Sequence, residues 1–499
     1  MSRIILAILD GFWINTTNPS ENAITQADAP TFNMLFGKPF TKLDASWLAV
    51  GIPEGQMWNS EVGHMTIGAG RTILQWTMKI DACLTDGSFT KLPEYEKSFS
   101  HIKETNGSLH IFTLFGNGGV HASQIHLEKA LNIIPSNIQV YLHIFTDGRD
   151  LSPTSALWIL KEFRKDILSK HQNIHISTIS GRYYAMDRDN NYNRIESAYN
   201  AITGNIQETP ASPEDVIQWS YNEGKTDEFI NPTLIDSDGI VKNGDSIWFL
   251  NFRSDRARML TEAFCENEFP HFIRKQLKNI YFVSMVPYYQ SYTENSFFHD
   301  ENLTDTLWEI LSRLGINQLR IAETEKFAHV TKFFNGGRFD AFDGEKRILI
   351  PSHKVNTYDL DPAMSANEIT DTIIRDGKEY SVIIVNYANG DMVGHTGFID
   401  AAKKAVESLD TNIKQLISFA KENNYEILLT ADHGNCEEMW SPEEPKTSHT
   451  TNFVPCWHIV DGEVRAMQKN IWTLANIAPT MLQILRIQKP EIMTDSLGI

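Results

Sequence analysis

Short apolar runs that stop at a carboxylate or an arginine constrain this chain more than any other feature. Ile4-Ile5-Leu6-Ala7-Ile8-Leu9 leads straight into Asp10-Gly11. Residues 382–385 form another such run, followed by Asn386-Tyr387-Ala388-Asn389-Gly390-Asp391. Residues 427–430 lead to Ala431-Asp432-His433-Gly434-Asn435. In the middle of the chain, strand-like runs at 109–114, 140–145, 174–179 and 247–250 each end in a polar or cationic loop. The runs are short and do not alternate apolar with polar, so they read as strands buried on both faces of a parallel sheet. Open α/β sheets bind ligands beyond the C-terminal ends of their strands, where these polar residues stand. The pattern predicts an α/β protein with two site edges, one from both ends of the chain and one from its middle.

Helical spacing fills the gaps. Ser152-Pro153 opens a predicted helix with Ala156, Leu160, Phe163 and Ile167 on one face. Ala402, Val406, Leu409, Ile413, Ile417 and Ala420 mark a longer one. A last helix surrounds Pro479 and carries Leu474, Ile477, Met481 and Leu482. Residues 204–243 read as surface turns with a helix. A length of 499 residues suggests two or three domains. A net charge of -19 argues against wholesale binding to nucleic acid or an anionic membrane. Cys83, Cys265, Cys436 and Cys456 are scattered, without the spacing of a disulfide framework or a zinc ribbon. No signal-peptide pattern opens the chain and no apolar stretch is long enough to span a bilayer, so a reducing cytoplasm is the expected compartment.

Two constellations carry chemistry. Asp391 and His395 flank one loop, Asp432 and His433 end the next strand, and His449 follows nearby. Either histidine of the pair His433 and His449 alone would read as a hydrogen-bonded core residue. Together with Asp10 and Ser60 they make a donor set of carboxylates, imidazoles and a hydroxyl. Without thiolate, that set suits manganese, zinc or iron better than calcium, and its size suits two ions rather than one. Such a pair binds phosphoryl oxygens. The other constellation is cationic: Arg149, Arg182, Arg188, Arg253 and Arg256, with Lys326, follow strand-like segments or sit in short polar loops. The guanidinium fork matches phosphate and carboxylate. Asp187 and Asp255 are available to pair with some of them. Asp150, a carboxylate among cations, can shuttle protons to a substrate hydroxyl, and His121 can do the same or bind the anion.

Ser60 stands between polar residues and glycines with no Gly-x-Ser-x-Gly elbow around it. A serine hydroxyl needs a base or a metal before it is nucleophilic, and here the help must come from elsewhere in the chain.

Seven motifs, in order, resemble the cofactor-independent (2,3-bisphosphoglycerate-independent) phosphoglycerate mutases. They are Gly55-Gln56-Met57-Trp58-Asn59-Ser60-Glu61-Val62-Gly63-His64, Asp147-Gly148-Arg149-Asp150, Gly181-Arg182-Tyr183-Tyr184-Ala185-Met186-Asp187-Arg188, Asn251-Phe252-Arg253-Ser254-Asp255-Arg256-Ala257-Arg258, Lys326-Phe327-Ala328-His329-Val330-Thr331, Asp391-Met392-Val393-Gly394-His395-Thr396-Gly397 and Thr430-Ala431-Asp432-His433-Gly434-Asn435. The resemblance runs from Ile4 to the final helix. It implies an alkaline-phosphatase-like domain, residues 1–74 and 305–499, with a second α/β substrate-binding or transferase domain inserted at 75–304. It implies two manganese ions, other divalent metals being alternatives. One would be held by Asp391, His395 and His449, the other by Asp10, Ser60, Asp432 and His433. Substrate contacts would come from His121, Arg149, Asp150, Arg182, Arg188, Arg253, Arg256 and Lys326, with Asp150 as acid/base.

The implied activity is interconversion of 3-phosphoglycerate and 2-phosphoglycerate through a phosphoserine at Ser60. It would need no bisphosphoglycerate, no nucleic acid and no membrane, in a monomeric chain that closes to exclude water. A phosphomonoester hydrolase or phosphopentomutase of the same superfamily should lack the arginines and Asp150. An inactive phosphometabolite-binding protein should have lost Ser60 or some of the ligands. Departures from the family pattern are Trp58 and Gly390, where glycine and proline are usual, and Phe453, where proline is usual.

Overall fold

The computed structural model describes residues 2–13, 18–55, 60–289, 295–299, 303–440, 445–468 and 471–499, so Trp58 and Asn59 lie outside the described residues. Two compact units result, Met1–Gln75 with Asn302–Ile499, and Trp76–Glu301.

The first unit is built on Arg3–Leu9. That strand lies between Val382–Tyr387 and Tyr425–Thr430, parallel to both, with Ile5 opposite Ile383 on one side and Ile427 on the other. Successive side chains of a strand face opposite ways. Ile4 through Leu9 are all 0% exposed, so both faces are covered. Outward from Val382–Tyr387 the sheet continues through Gln318–Glu323 to Glu345–Ile350, still parallel. On the other side Val454–Val460 runs antiparallel, followed by Thr41–Asp44 and Trp472–Thr473. The helix Ile399–Glu422 buries Ala402, Val406, Leu409, Ile413 and Ala420 of the predicted stripe, while Leu416 rather than the half-buried Ile417 fills the turn between Ile413 and Ala420.

In the second unit the order is Thr233–Leu234, Ile174–Gly181, Val140–Thr146, Leu109–Phe115, Ser246–Phe249, Tyr281–Ser284. All of these pairings are parallel except that of Thr233–Leu234. The chain lays strands in one direction from Leu109–Phe115, then returns to add Ser246–Phe249 on its other side. This reversal opens a crevice between adjacent strand ends, the place where such sheets bind ligands.

One boundary differs from the sequence expectation. The helix predicted from Ser152-Pro153 runs from Ala156 to Asp166. Asp227, distant in sequence, accepts hydrogen bonds from the Ser155 and Ala156 backbone N–H groups, each at 2.8 Å. A cap supplied by another segment fixes the first turn there. Among the described residues, no helix is long and apolar enough to cross a membrane.

Candidate functional site

Asp10, Asp391 and Asp432 follow three neighbouring parallel strands, Arg3–Leu9, Val382–Tyr387 and Tyr425–Thr430, so the sheet sets them side by side. Two glycines permit the approach. A Cβ on Gly11, which has φ +70°, would lie 2.6 Å from Asp391 Cα, and one on Gly390 would lie 2.6 Å from the Asp10 carbonyl oxygen. Ser60 begins the helix Ser60–Ala69 and is buried. Its Oγ donates toward Asp10 Oδ1 at 3.2 Å and lies 2.8 Å from His433 Nε2.

Lys326 enters the same cluster from the turn after Gln318–Glu323. Its Nζ donates to Ser60 Oγ at 2.7 Å, Asp10 Oδ1 at 2.8 Å and Asp391 Oδ2 at 2.7 Å. Burial alone would push this ammonium down, but Asp10, Asp391 and Asp432 outweigh it and raise its pKa above the ordinary lysine value. Burial likewise opposes ionisation of Asp391, yet Lys326 and the bonds from His395 and His449 hold it well below the usual carboxylate range. Asp432 is lowered too, burial being outweighed by His433 and His64.

The imidazoles converge on the carboxylates. Asp391 Oδ1 lies 3.0 Å from His395 Nε2 and 3.2 Å from His449 Nε2. His433 Nε2 is 3.4 Å from both Asp10 Oδ1 and Asp432 Oδ2. The His433 and His449 rings stack with centroids 3.8 Å apart. Burial pushes His433 down, which favours the neutral ring that a metal requires. His395, hydrogen-bonded to Asp391 and half exposed, is pushed up.

This cluster brings together Asp10, Ser60, Lys326, Asp391, His395, Asp432, His433 and His449. Three buried carboxylates gather around one ammonium, Lys326, which bonds to Asp10 and Asp391. Among the described residues, Asp432 Oδ2 is buried without a hydrogen-bond partner. Uncompensated buried charge is costly, and a buried polar atom normally has a partner. The donor set therefore fits divalent cations. Among the described residues, Asp391, His433 and His449 have donor atoms all within 4.8 Å of one another, as do Asp10, His64 and Asp432. Asp391, His395 and His449 converge more closely, with 3.1 Å between the two imidazole Nε2 atoms.

Three residues here were not singled out for a role from the sequence. His64 and Asn386 touch the carboxylates directly. Asn386 Nδ2 lies 2.7 Å from Asp10 Oδ2, and His64 Nδ1 lies 3.4 Å from Asp432 Oδ2. Glu437 accepts the Asn435 N–H at 2.7 Å, the Asn452 Nδ2–H at 3.0 Å and the Thr450 hydroxyl, which ties the loop of His433 to the segment after His449. A helix residue one turn after Ser60, a polar residue closing an apolar run and a glutamate in a loop have little to mark them in a single sequence.

The second unit gathers the cationic set around its crevice. His121 follows Leu109–Phe115, while Arg253 and Arg256 follow Ser246–Phe249. His121 Nε2 is 3.8 Å from Asp150 Oδ2 and its Nδ1 is 3.6 Å from Asp255 Oδ1. Burial, with Arg182 adding to it, pushes the imidazole down to about 4, so it is neutral near pH 7. Arg182 is itself buried, its Nη1 bonded to Asp147 Oδ1 at 2.6 Å and Asp150 Oδ2 at 2.5 Å. Arg188 and Arg253 pair with Asp255 at 3.0 and 3.2 Å, and Arg149 with Glu228 at 3.3 Å. Arg256 donates to the Met186 carbonyl at 3.1 Å. Its guanidinium is pushed down, first by burial and then by Arg182, Arg188 and Arg149. An anion placed among these cations relieves that repulsion. Lys326 is not in this set and belongs to the first unit.

Comparison with known proteins places these sites in context. The chain matches the metalloenzyme superfamily over residues 2–489. It is 46% identical over 506 residues to a 2,3-bisphosphoglycerate-independent phosphoglycerate mutase of Clostridium acetobutylicum, covering 98% of each chain. It is 44% identical over 507 residues to phosphoglycerate mutase 1 of the same kind from Methanosarcina barkeri, covering 98% of this chain and 97% of the relative. A crystal structure of Leishmania mexicana phosphoglycerate mutase at low cobalt concentration superposes with a TM-score of 0.67 at 27% identity, over 99% of this chain and 97% of the other.

Proposed function

The chain belongs to the 2,3-bisphosphoglycerate-independent phosphoglycerate mutases of the metalloenzyme superfamily, and on that premise we propose that it moves a phosphoryl group between the 3- and 2-positions of glycerate through a phosphoserine at Ser60. The observation that carries the reading is the setting of Ser60 Oγ, buried 2.7 Å from Lys326 Nζ and 2.8 Å from His433 Nε2. Those contacts stabilise Ser60 as the alkoxide that attacks phosphorus and that is regenerated when the phosphoryl group moves on to glycerate.

Two manganese ions are the proposed cofactors. Asp391, His395 and His449 would hold one, and Asp10, Ser60, Asp432 and His433 the other. When bound, they supply Lewis-acid stabilisation of phosphoryl charge. Lys326 balances the carboxylates and is placed to contact a phosphoryl oxygen. His121, Arg149, Asp150, Arg182, Arg188, Arg253 and Arg256 are the proposed substrate contacts. In this role Arg182 holds Asp150 oriented, and the half-exposed Arg149, Arg188 and Arg253 meet the anion. Asp150 gives a proton to the oxygen that leaves phosphorus and takes one from the hydroxyl that attacks next. Phosphoryl transfer asks mainly for positioning and charge stabilisation, which these groups supply. A monomer working in the cytoplasm completes the proposal.

The test is to assay the purified protein with 3-phosphoglycerate and manganese, without bisphosphoglycerate, in the presence of isotopically labelled free glycerate. The expected product is 2-phosphoglycerate, with label entering far more slowly than the net flux. Label appearing at the rate of flux would mean that glycerate leaves in every cycle. Inorganic phosphate as the main product would establish a hydrolase instead.

A further inference from the structure

His64 and Asn386 lie against the metal-donor cluster, are fully buried, and have no part in the chemistry proposed above. His64 sits one turn along the helix that Ser60 begins, and Asn386 lies in the strand Val382–Tyr387. Asn386 Nδ2 is 2.7 Å from Asp10 Oδ2 and 3.0 Å from His64 Nε2. A carboxylate only accepts, so the amide turns its NH2 group to Asp10, and its second hydrogen goes to His64. Nε2 is then the acceptor, and the ring proton sits on Nδ1. That N–H points at the Ser60 carbonyl oxygen, 2.8 Å away, with Asp432 Oδ2 at 3.4 Å. His329 lies edge-on to the ring, with centroids 5.3 Å apart.

Both nitrogens of His64 are therefore engaged, one as acceptor and one as donor. Although Asp10, His64 and Asp432 lie close enough together to suggest a ligand triad, the imidazole has no lone pair left for a metal. We propose that His64, oriented by Asn386, is a positioning residue: it fixes the Ser60 backbone and the spacing of Asp10 and Asp432 without ligating metal. This rests on the metal-assisted phosphoryl transfer proposed above. Partners of this kind, one bond behind the ligands, typically carry about 10- to 100-fold in metal affinity or activity.

Three variants dissect the chain of bonds. His64→Asn keeps a donor near the Nδ1 position and loses the acceptor. His64→Gln keeps an acceptor near the Nε2 position and loses the donor. Asn386→Ala cuts the link from the other side and serves if a His64 variant does not fold. Each is loaded with manganese and measured for kcat, KM for 3-phosphoglycerate, manganese stoichiometry and affinity by calorimetry, and melting temperature. The expected result is full stoichiometry, an unchanged KM, and kcat or manganese affinity reduced by about 10- to 100-fold. The His64→Gln/Asn386→Ala double variant should be no worse than its poorer parent, because the two act in series. Folded variants with wild-type kcat and manganese affinity would reduce the pair to packing and overturn the proposal. Loss of one manganese per chain would overturn it differently, by making His64 a ligand. A wild-type protein that binds manganese but lacks mutase activity would sink the mutase reading alone, and the manganese affinities of the variants would still decide the role of His64.

Discussion

Phe252 donates its backbone N–H to the His121 carbonyl at 2.8 Å, joining the loops that leave Leu109–Phe115 and Ser246–Phe249. Asn251 adds a second tie, its Oδ1 accepting the Leu114 N–H at 2.9 Å. These bonds span the point where strand order reverses. They hold the imidazole of His121 and the arginines at 253 and 256 on one crevice, so the cationic set is anchored to the sheet rather than to free loop.

Arg256→Lys keeps the charge and loses the planar fork. Hydrogen bonds to charged groups are worth about 1.5–3 kcal/mol, so kcat/KM should fall roughly 10- to 150-fold. Manganese content should stay as in the wild type, because Arg256 lies in the second unit. Steady-state kinetics beside elemental analysis checks both, and a loss of metal would show that the division between the two sites is wrong.

Ser60→Ala should fold normally, since little packing is lost, and should lose turnover by roughly 10⁴-fold or more, as removal of a nucleophile does elsewhere. The mutase rate beside a thermal melt is the measurement. A variant retaining a tenth of the activity would remove Ser60 from the chemistry.

Lys326→Met removes the ammonium that lies between Asp10 and Asp391. Breaking a buried ion pair from one side costs about 3–5 kcal/mol. In chelator the variant should be destabilised by that order, and added manganese should restore much of the loss. Denaturant unfolding with and without metal tests this, and equal stability of variant and wild type in chelator would contradict it.

Acid should weaken the second unit through its sheet core. Thr178 donates to His143 at 2.9 Å, His143 to His110 at 3.0 Å, and His110 to Asp245 at 3.0 Å. Burial pushes His110 down and His143 well down, against the support that Asp245 gives His110. An unfolded histidine takes its proton near pH 6.5, before the folded ones do, so the unfolded state binds more protons below that pH. Stability is fully present above about pH 6.5 and is lost as pH falls. Hydrogen exchange at residues 140–146 should accelerate from pH 7.5 to 5.5 beyond its intrinsic pH dependence, and His143→Gln should flatten the change. An unaltered slope in that variant would place the acid sensitivity elsewhere.

Seven strands were legible because each is a short apolar run, and a run such as Ile4 to Leu9 has no stable place except a sheet interior. Thr41–Asp44, Gln318–Glu323 and Glu345–Ile350 mix charged with apolar residues and do not read as buried strands. Asp10 and Asp432 were legible because they follow such runs closely, and Asp391 because it flanks, with His395, the loop after another. What escaped notice acts across the chain. Asp227 caps a helix that begins at Ala156, and nothing near Asp227 in sequence announces that helix. His64 sits among apolar residues at helical spacing and passes for core. Asn386 shows its meaning only when Asp10 stands beside it, and pairing of Arg3–Leu9 with Val382–Tyr387 is what puts it there.

That pairing also sets an order of events during synthesis. Arg3–Leu9 emerges first but has neither neighbour until Val382–Tyr387 and Tyr425–Thr430 have been made. At about 5–20 residues per second the delay is roughly 20–80 s, during which an apolar segment waits with unpaired edges. Among the described residues, strands of the Trp76–Glu301 unit pair only with one another and need no such delay. A nascent chain stalled before residue 382 should therefore carry a protease-resistant middle and a protease-sensitive start.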